Sequence, residues 1–229
     1  MRPSPQQRLD AIAAAATSVF GRLGYRRART AEIAARAGVS AGSIFTYVDS
    51  KEALFHLVFA HRQGQPAARA DELPFVAPPF TETLELIGRR LREDAGTPLL
   101  KAALSVDRAE DIAAELGGIV EERYETISRA WPLLAVIERS AVDLPELEEL
   151  YFRRRRPGYL GQLTRYLESR GSSGQLKTFP DAAVVARIVT ETITWFAWHR
   201  HEDRDAGAYD DALAYETVMA FVSDALVAS

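Results

Sequence analysis

Residues 30–55 of this chain read TAEIAARAGVSAGSIFTYVDSKEALF and contain two short helical patterns separated by a glycine. Apolar residues at helical spacing predict a helix from about Thr30 to Ala37. Gly38 ends this helix, because glycine adopts the left-handed backbone of a tight turn without steric cost. Ser40 then stands where a side-chain oxygen can cap the next helix. The stretch therefore predicts two helices joined by a tight turn.

The second of these helices has an inward and an outward side. Ile44 and Val48 fall on the side that packs against the preceding helices, whereas Gly42 and Ser43 point outward from the first turn. Small outward residues let a helix approach the edges of base pairs in a DNA major groove. The pattern predicts a helix-turn-helix that binds DNA.

Two further helices flank this pair. Ser4 is a cap for the first, with proline next and glutamine three residues on, and Gly24 supplies a left-handed stop. The other begins at Asp49 or Ser50, with a capping box from Asp49 to the glutamate three residues later, and is predicted to run to near Arg69. Four helices thus form one compact N-terminal unit.

Charge is unevenly distributed along the chain. Residues 1–51 contain eight basic and three acidic residues, a net charge of +5, whereas the whole chain carries −4 and the remainder therefore −9. A basic end on an acidic body is typical of a protein that meets a polyanion at that end. A solvated basic face explains the charge equally well, so charge alone leaves both interpretations open.

The rest of the sequence predicts a helical body, and no alternating β pattern stands out. Residues 73–80 contain three prolines and are predicted to be a loop, and Pro157 is expected to kink the helix around it. Six body helices are predicted, at Thr81–Asp94, Leu99–Leu116, Ile119–Ala141, Pro145–Arg170, Asp181–Arg200 and Asp210–Val227. The predicted fold class is all-α.

Composition excludes several classes of protein. The chain has no cysteine, so disulfide scaffolds, thiolate zinc sites and cysteine nucleophiles are ruled out. No apolar run approaches the ~20 residues of a membrane helix, and we expect a cytoplasmic protein. His199 and His201 precede acidic residues, but residues two apart on a helix diverge by ~200° and cannot share a metal ion. No phosphate loop or nucleophile elbow is present, and neither an enzyme nor a cofactor is predicted.

The N-terminal sequence resembles the TetR-type (tetracycline-repressor-like) transcriptional regulators. The matching segments are VFGRLGY at Val19–Tyr25 and AEIAARAGVSAGSIFTYVDSKEALF at Ala31–Phe55. Weaker likeness continues at Leu144–Leu163 and Ser173–Val189. The resemblance implies a three-helix DNA-binding domain at residues 1–55 and a helical effector-binding and dimerisation domain at residues 56–229.

The resemblance also implies roles for individual residues of the DNA-binding domain. The positions facing bases or the flanking sugar are Ala41, Gly42, Ser43 and Phe45. The positions contacting phosphate are Thr30, Tyr47, Lys51 and, less directly, Arg29. Arg29 departs from the family pattern, which often has Ser or Thr there. Either Thr30 caps its helix one residue late, or Arg29 adds a phosphate contact of its own.

For the body, the resemblance implies an effector pocket and a dimer interface. The aromatic candidates for lining the pocket are Tyr124, Trp131, Tyr151, Trp195 and Phe196, each of which is also a candidate for ordinary core. A homodimer is predicted to form through the helices at Pro145–Arg170 and Asp181–Arg200, burying Val185, Ile188 and Val189.

Two functional hypotheses follow from the sequence. The first is a homodimeric repressor that binds a double-stranded DNA operator and is released by a small, hydrophobic effector. The second is a DNA-binding dimer of the same fold without a small-molecule ligand, controlled by a protein partner or acting as an activator. Release from DNA by a ligand distinguishes the two.

Overall fold

The computed structural model describes residues 4–61, 72–94, 96–205 and 209–228, and helices dominate these ranges. The ten α-helices of the described residues are α1 Pro5–Arg27, α2 Thr30–Arg36, α3 Lys51–Ala60, α4 Phe80–Asp94, α5 Pro98–Ala103, α6 Ile112–Ala141, α7 Pro145–Glu148, α8 Arg156–Ser172, α9 Ala182–Ala197 and α10 Asp211–Leu226. Within the same ranges, β structure is confined to isolated bridges at Val48–Phe75 and Leu176–Val227. The predicted all-α fold class is confirmed.

The start of α1 forms as the sequence predicts. The Ser4 hydroxyl accepts from the Gln7 backbone N–H at 3.2 Å, and the Gln7 side chain accepts from the Ser4 N–H at 2.8 Å. Gly24 has the predicted positive φ, of 75°, but the chain resumes helical geometry and continues to Arg27. Gly24 therefore kinks the end of α1 before the helix stops.

The element after the tight turn is shorter than predicted. Residues Ser43–Thr46 form one 3₁₀ turn, here called the recognition turn, in place of a full α-helix starting at Ser40. Ser40 still caps it, because its hydroxyl accepts from the Ser43 N–H at 3.0 Å. The Thr46 hydroxyl donates to the Ser43 carbonyl at 2.7 Å. These local side-chain bonds compete with the backbone ladder of an α-helix, which explains the difference.

The next helix, α3, also differs from its prediction at both ends. Ser50 is the N-cap and accepts from the Ala53 N–H at 3.1 Å, so the alternative cap at Asp49 does not form. The helix ends at Ala60, where His61 turns to extended backbone, and does not run to Arg69 as predicted. Residues 62–71 lie outside the described ranges.

The body helices differ from prediction mainly where buried contacts override local propensity. The predicted helix Leu99–Leu116 is divided, since α5 ends at Ala103 and α6 begins at Ile112. The helix α6 runs unbroken past two adjacent glycines and contains Pro132. The predicted helix from Pro145 is also divided, into α7, a π-helical segment at Glu149–Arg155 and α8.

The proline at position 157 occupies the first turn of α8 and so starts a helix instead of kinking one. The last two predicted helices form nearly as expected, as α9 and α10. A 3₁₀ turn at His199–His201 follows α9.

The chain divides into two compact units. One comprises residues 1–93 and 132–153, and its core includes Phe20, Ile33 and Phe55. The other comprises residues 94–131 and 154–229, with a core that includes Tyr166 and Ile193. A domain boundary between residues 55 and 56 stays a prediction. None of the described helices combines the length and apolar character needed to cross a membrane.

Candidate nucleic-acid interface

The recognition turn presents its predicted base-facing residues to solvent. Ala41, Gly42 and Ser43 are exposed, and 47% of the Phe45 surface is accessible although phenylalanine is ordinarily buried. Ile44, between them, is fully buried, as is Val48 one turn later. The inward and outward sides predicted from the sequence are therefore both present.

Ser43 is held in place by its neighbour. Its hydroxyl lies 2.6 Å from the Ser40 hydroxyl, and its backbone N–H donates to the same Ser40 oxygen. Each hydroxyl retains a further acceptor lone pair, so Ser43 can still accept from a base edge. The pair fixes the direction of the Ser43 side chain before any DNA arrives.

Exposed arginines lie beside the recognition turn. Arg29 occupies the N-cap position of α2 without a side-chain bond, and its guanidinium has no partner among the described residues. Thr30 is the first residue of α2 and not its cap, so the alternative of a late cap does not occur. Arg26 and Arg27 are exposed two and three residues before Arg29. An unpaired arginine here suits contact with phosphate.

The two remaining phosphate candidates are both partly buried. Tyr47 follows the recognition turn directly. Lys51 already has contacts within the chain, because its ammonium donates to the Arg26 carbonyl at 3.1 Å and lies 4.8 Å from the centre of the Tyr25 ring. Desolvation lowers the pKa of Lys51. In this arrangement Lys51 stabilises the Tyr25–Arg26 segment.

Tyr25 links α1 to α3. Its hydroxyl donates to the Glu52 carboxylate at 2.6 Å, and its ring packs edge-on against Phe55 at 5.2 Å. The hydrogen bond from Tyr25 lowers the pKa of Glu52, and burial raises the pKa of Tyr25. The sequence suggested Glu52 as a capping residue, but its carboxylate instead anchors the end of α1.

Two contacts of the arginine segment were not predicted. The Asp143 carboxylate accepts from the Arg26 backbone N–H at 2.8 Å, across 117 positions of sequence. A side-chain Cβ at Gly24 would lie 2.5 Å from the Arg139 carbonyl oxygen, which shows how closely the end of α6 approaches α1. No local pattern indicates a pairing at this separation.

Backbone pairing holds the far end of the recognition turn. The Phe75 N–H donates to the Tyr47 carbonyl at 2.9 Å, and the Asp49 N–H donates to the Phe75 carbonyl at 3.1 Å. The proline-rich loop predicted at residues 73–80 therefore includes one residue that is paired with the DNA-binding segment.

Three of the five aromatic pocket candidates lie together. The Tyr124 hydroxyl lies 3.4 Å from the Phe196 carbonyl, and the Phe196 ring packs edge-on against Trp195 at 4.8 Å. Trp131 instead stacks on His201, at 5.8 Å between ring centres. Tyr151, in the π-helical segment, packs against Phe152 at 5.1 Å and belongs to the other compact unit. The role of these five residues in binding an effector stays a prediction.

The three predicted interface residues on α9 differ in exposure. Val185 and Val189 are buried within the chain, with 8% and 6% of their surfaces accessible. Ile188 is 56% exposed, and Val184, one turn before it, is 54% exposed. The accessible apolar side of α9 is therefore formed by Val184 and Ile188.

The histidines are engaged in packing. His56 lies 2.9 Å from the Thr83 hydroxyl, and His61 lies 3.6 Å from the Asp10 carboxylate. His199 stacks on Trp198 at 4.4 Å. Within the part of the chain that the structure describes, no group of histidine, aspartate and glutamate side chains is arranged to hold a metal ion.

The fold and the exposed recognition turn define a helix-turn-helix transcription regulator. Residues 12–58 match the family model of the bacterial regulatory proteins of the tetR family. The predicted resemblance to TetR-type regulators is confirmed by this match and by the regulators with similar folds. No curated protein is similar enough to this chain to count as a match.

Several solved structures of transcription regulators have a similar fold. The ketosteroid regulator KstR2 of Mycobacterium tuberculosis is 15% identical with a TM-score of 0.57, over 100% of this chain and 98% of that one. AibR, in complex with isovaleryl coenzyme A and operator DNA, is 14% identical with a TM-score of 0.52, over 94% and 97%. A TetR-family regulator from Agrobacterium tumefaciens is 19% identical with a TM-score of 0.51, over 98% and 100%. At these identities the likeness establishes the fold.

Proposed function

We propose that the protein is a cytoplasmic, homodimeric transcriptional repressor that binds a DNA operator and is released by a small-molecule effector. The observation that carries the proposal is the exposed surface of the recognition turn beside the unpaired guanidinium of Arg29. Such a surface combines residues that can approach base edges with a cation that can hold the phosphate backbone.

An effector is proposed by analogy with the regulators of similar fold. AibR was solved with both isovaleryl coenzyme A and operator DNA, and KstR2 is described as a ketosteroid regulator. We therefore propose an effector with a substantial apolar portion, bound in the helical body. The five aromatic candidates, Tyr124, Trp131, Tyr151, Trp195 and Phe196, remain the proposed apolar lining.

A dimer is proposed through the outer faces of α8 and α9. Val184 and Ile188 supply exposed apolar surface on α9. On α8, Gly158 and Gly161 are exposed, and open space surrounds the position of a Cβ at each. Small residues let helices of two subunits approach closely, and a four-helix bundle about a two-fold axis would bury all four residues.

The proposal is tested by DNA selection followed by binding titrations. Sites selected from a pool of random duplexes serve as the operator, and a scrambled duplex of equal composition serves as the reference. We expect Ser43→Ala to cost about 1–3 kcal/mol at one base pair of each half-site while leaving the salt dependence nearly unchanged. Equal loss on scrambled DNA would assign Ser43 to the backbone.

Arg29→Ala tests the phosphate side of the same interface. We expect it to weaken operator and scrambled DNA alike and to reduce the slope of log K against log salt by ~0.9 per contact, about two per dimer. Arg129→Ala is the control, because Arg129 is an exposed arginine of α6 outside the DNA-binding unit. A protein that selects no duplex and shows no salt-dependent binding is not a DNA-binding regulator.

A further inference from the structure

A polar cluster lies where α6 packs on α8. The Arg123 guanidinium of α6 lies over the Tyr159 ring of α8, at 4.2 Å from the ring centre. The Arg123 Nε atom is buried and lacks a hydrogen-bond partner. Among the described residues the guanidinium has no hydrogen bond and no ion pair. A partly buried arginine is ordinarily paired, because an uncompensated charge away from water is costly.

The neighbouring polar groups of α8 are also unsatisfied. Gln162 lies one turn after Tyr159, and its Oε1 atom is buried without a hydrogen-bond partner. The Tyr159 hydroxyl makes no hydrogen bond to any described residue. Burial raises the pKa of Tyr159, so this phenol stays protonated as a donor. Three polar side chains on adjoining helix faces thus lack partners within the described chain.

The other end of the same helix pair shows what a satisfied arginine looks like here. Arg170 of α8 is fully buried, and it donates to both Glu115 carboxylate oxygens of α6, at 2.8 and 3.1 Å. It also donates to the Ala103 carbonyl at 2.7 Å. The interface therefore supplies a counter-ion to one of its arginines and none to the other.

The carboxylate nearest to Arg123 in sequence does not neutralise it. Glu122 accepts from the Leu99 backbone N–H at 3.1 Å, at the start of α5. Desolvation raises the pKa of Glu122, which marks its surroundings as poorly hydrated. The missing negative charge is therefore left for a group that comes from outside the described chain.

We infer that Arg123, Tyr159 and Gln162 form the receptor for an anionic group, a carboxylate or a phosphate, of a small-molecule ligand. A guanidinium binds either group through two parallel hydrogen bonds, the Tyr159 hydroxyl donates a further one, and the Gln162 amide can turn its NH₂ toward the anion. The inference rests on the proposed function in one respect, namely that this ligand is the effector.

A first experiment measures stability without ligand. Removing an unpaired buried charge should not destabilise the fold, so Arg123→Met is expected to melt at or above the wild-type temperature. Arg129→Met, on the exposed side of α6, is the matched control and should leave the melting temperature unchanged. A melting temperature for Arg123→Met clearly below both would assign Arg123 to structure and overturn the inference.

A second experiment measures binding by calorimetry with defined probes. These are the straight-chain and branched carboxylates from butanoate to hexadecanoate, their coenzyme A thioesters, and the matching primary alcohols. We expect one anionic series to bind wild type and Arg129→Gln alike, and Arg123→Gln at least about tenfold more weakly, as expected for loss of a charge-assisted hydrogen bond. The series that binds distinguishes a carboxylate from a phosphate-bearing ligand.

Three results would overturn the inference: alcohols binding as tightly as anions, Arg123→Gln binding as tightly as wild type, or no anion of either series binding. Operator release is measured separately on the same proteins. An anion that binds through Arg123 without changing operator affinity leaves the inference standing and refutes the effector role. A ligand that releases wild type and Arg123→Gln equally supports the proposed function and refutes the inference.

Discussion

Gly24 and Gly38 both have positive φ, of 75° and 69°, but their surroundings differ. A Cβ at Gly24 would lie 2.5 Å from the Arg139 carbonyl oxygen, whereas nothing lies within 4 Å of a Cβ at Gly38. Gly38 is therefore required by backbone conformation alone. Gly24 is required by conformation and by the close approach of α6.

Alanine substitutions separate these two requirements. We expect Gly38→Ala to lower the free energy of unfolding by about 1–2 kcal/mol, the cost of a left-handed alanine. Gly24→Ala should cost more, on the order of 3 kcal/mol or above, because backbone atoms must also move. Urea unfolding of both variants makes the comparison. Equal losses would show that α1 and α6 can separate at no cost.

His56 gives the first compact unit a pH-dependent contact. Its ring lies 5.7 Å from the Phe75 ring and its Nδ1 atom 2.9 Å from the Thr83 hydroxyl. Burial lowers the pKa of His56, and the nearby Glu82 opposes this effect. The folded state therefore favours the neutral imidazole.

The sign of the effect follows from this depressed pKa. The unfolded chain takes up the His56 proton at a higher pH than the folded protein does, so stability falls as the pH drops below about 6.5. We expect His56→Gln to reduce the loss in melting temperature between about pH 7.5 and about pH 5. Thermal melts across this range test it, and an unchanged loss would assign the acid sensitivity to other groups.

At the scale of elements, Arg170 explains where the body helices break. It donates to the Ala103, Val106 and Asp107 carbonyls, at 2.7, 3.0 and 3.2 Å. Carbonyls turned toward a guanidinium are not available to continue a helix. The chain between α5 and α6 is therefore folded around this one side chain.

We expect Arg170→Met to lower the free energy of unfolding by about 3–5 kcal/mol, because it leaves Glu115 and several carbonyls without their donor. Arg153→Met is the control, since the contacts of Arg153 with Glu148 are exposed and should contribute less than about 1 kcal/mol. Urea unfolding measures both. If Arg170→Met costs no more than the control, the arginine does not organise the segment between α5 and α6.

Elements governed by local chemistry were predicted well from the sequence, and elements governed by distant contacts were not. The cap at Ser4 depends on residues three apart, and it formed as predicted. The break after Ala103 depends on a side chain 67 residues away, and it was missed. The recognition turn is intermediate: its position and buried residues were predicted, but its 3₁₀ geometry was not.

The same distinction applies to the candidate sites. The exposed residues of the recognition turn follow from helical spacing and a resemblance confined to the N-terminal segment. Asp143 and Arg123 carry no local signal, because their importance lies in a partner far along the chain or in the lack of one. Sequence patterns identify which residues face outward, but not which buried polar groups remain unsatisfied.

At the scale of the whole molecule, two helices offer exposed apolar residues for self-association. Ile188 on α9 is 56% exposed, and Phe221 on α10 is 61% exposed. We expect Ile188→Glu to raise the dimer dissociation constant at least about a hundredfold, because two-fold symmetry would bury two carboxylates in one interface. Phe221→Glu should leave association unchanged.

Sedimentation velocity over a range of concentrations tests both variants. A wild-type protein that stays monomeric at micromolar concentration would refute the dimer and the operator model with it. If Phe221→Glu dissociates the dimer and Ile188→Glu does not, the interface belongs to α10.

The pairing of Phe75 with Tyr47 and Asp49 has a consequence for modularity. A fragment cut at the end of α3 loses both backbone partners of the residues that follow the recognition turn. A chimeric regulator made by grafting this DNA-binding segment onto another body would therefore need a junction beyond Phe75, within or after α4. The portable module is longer than the sequence motif that identifies it.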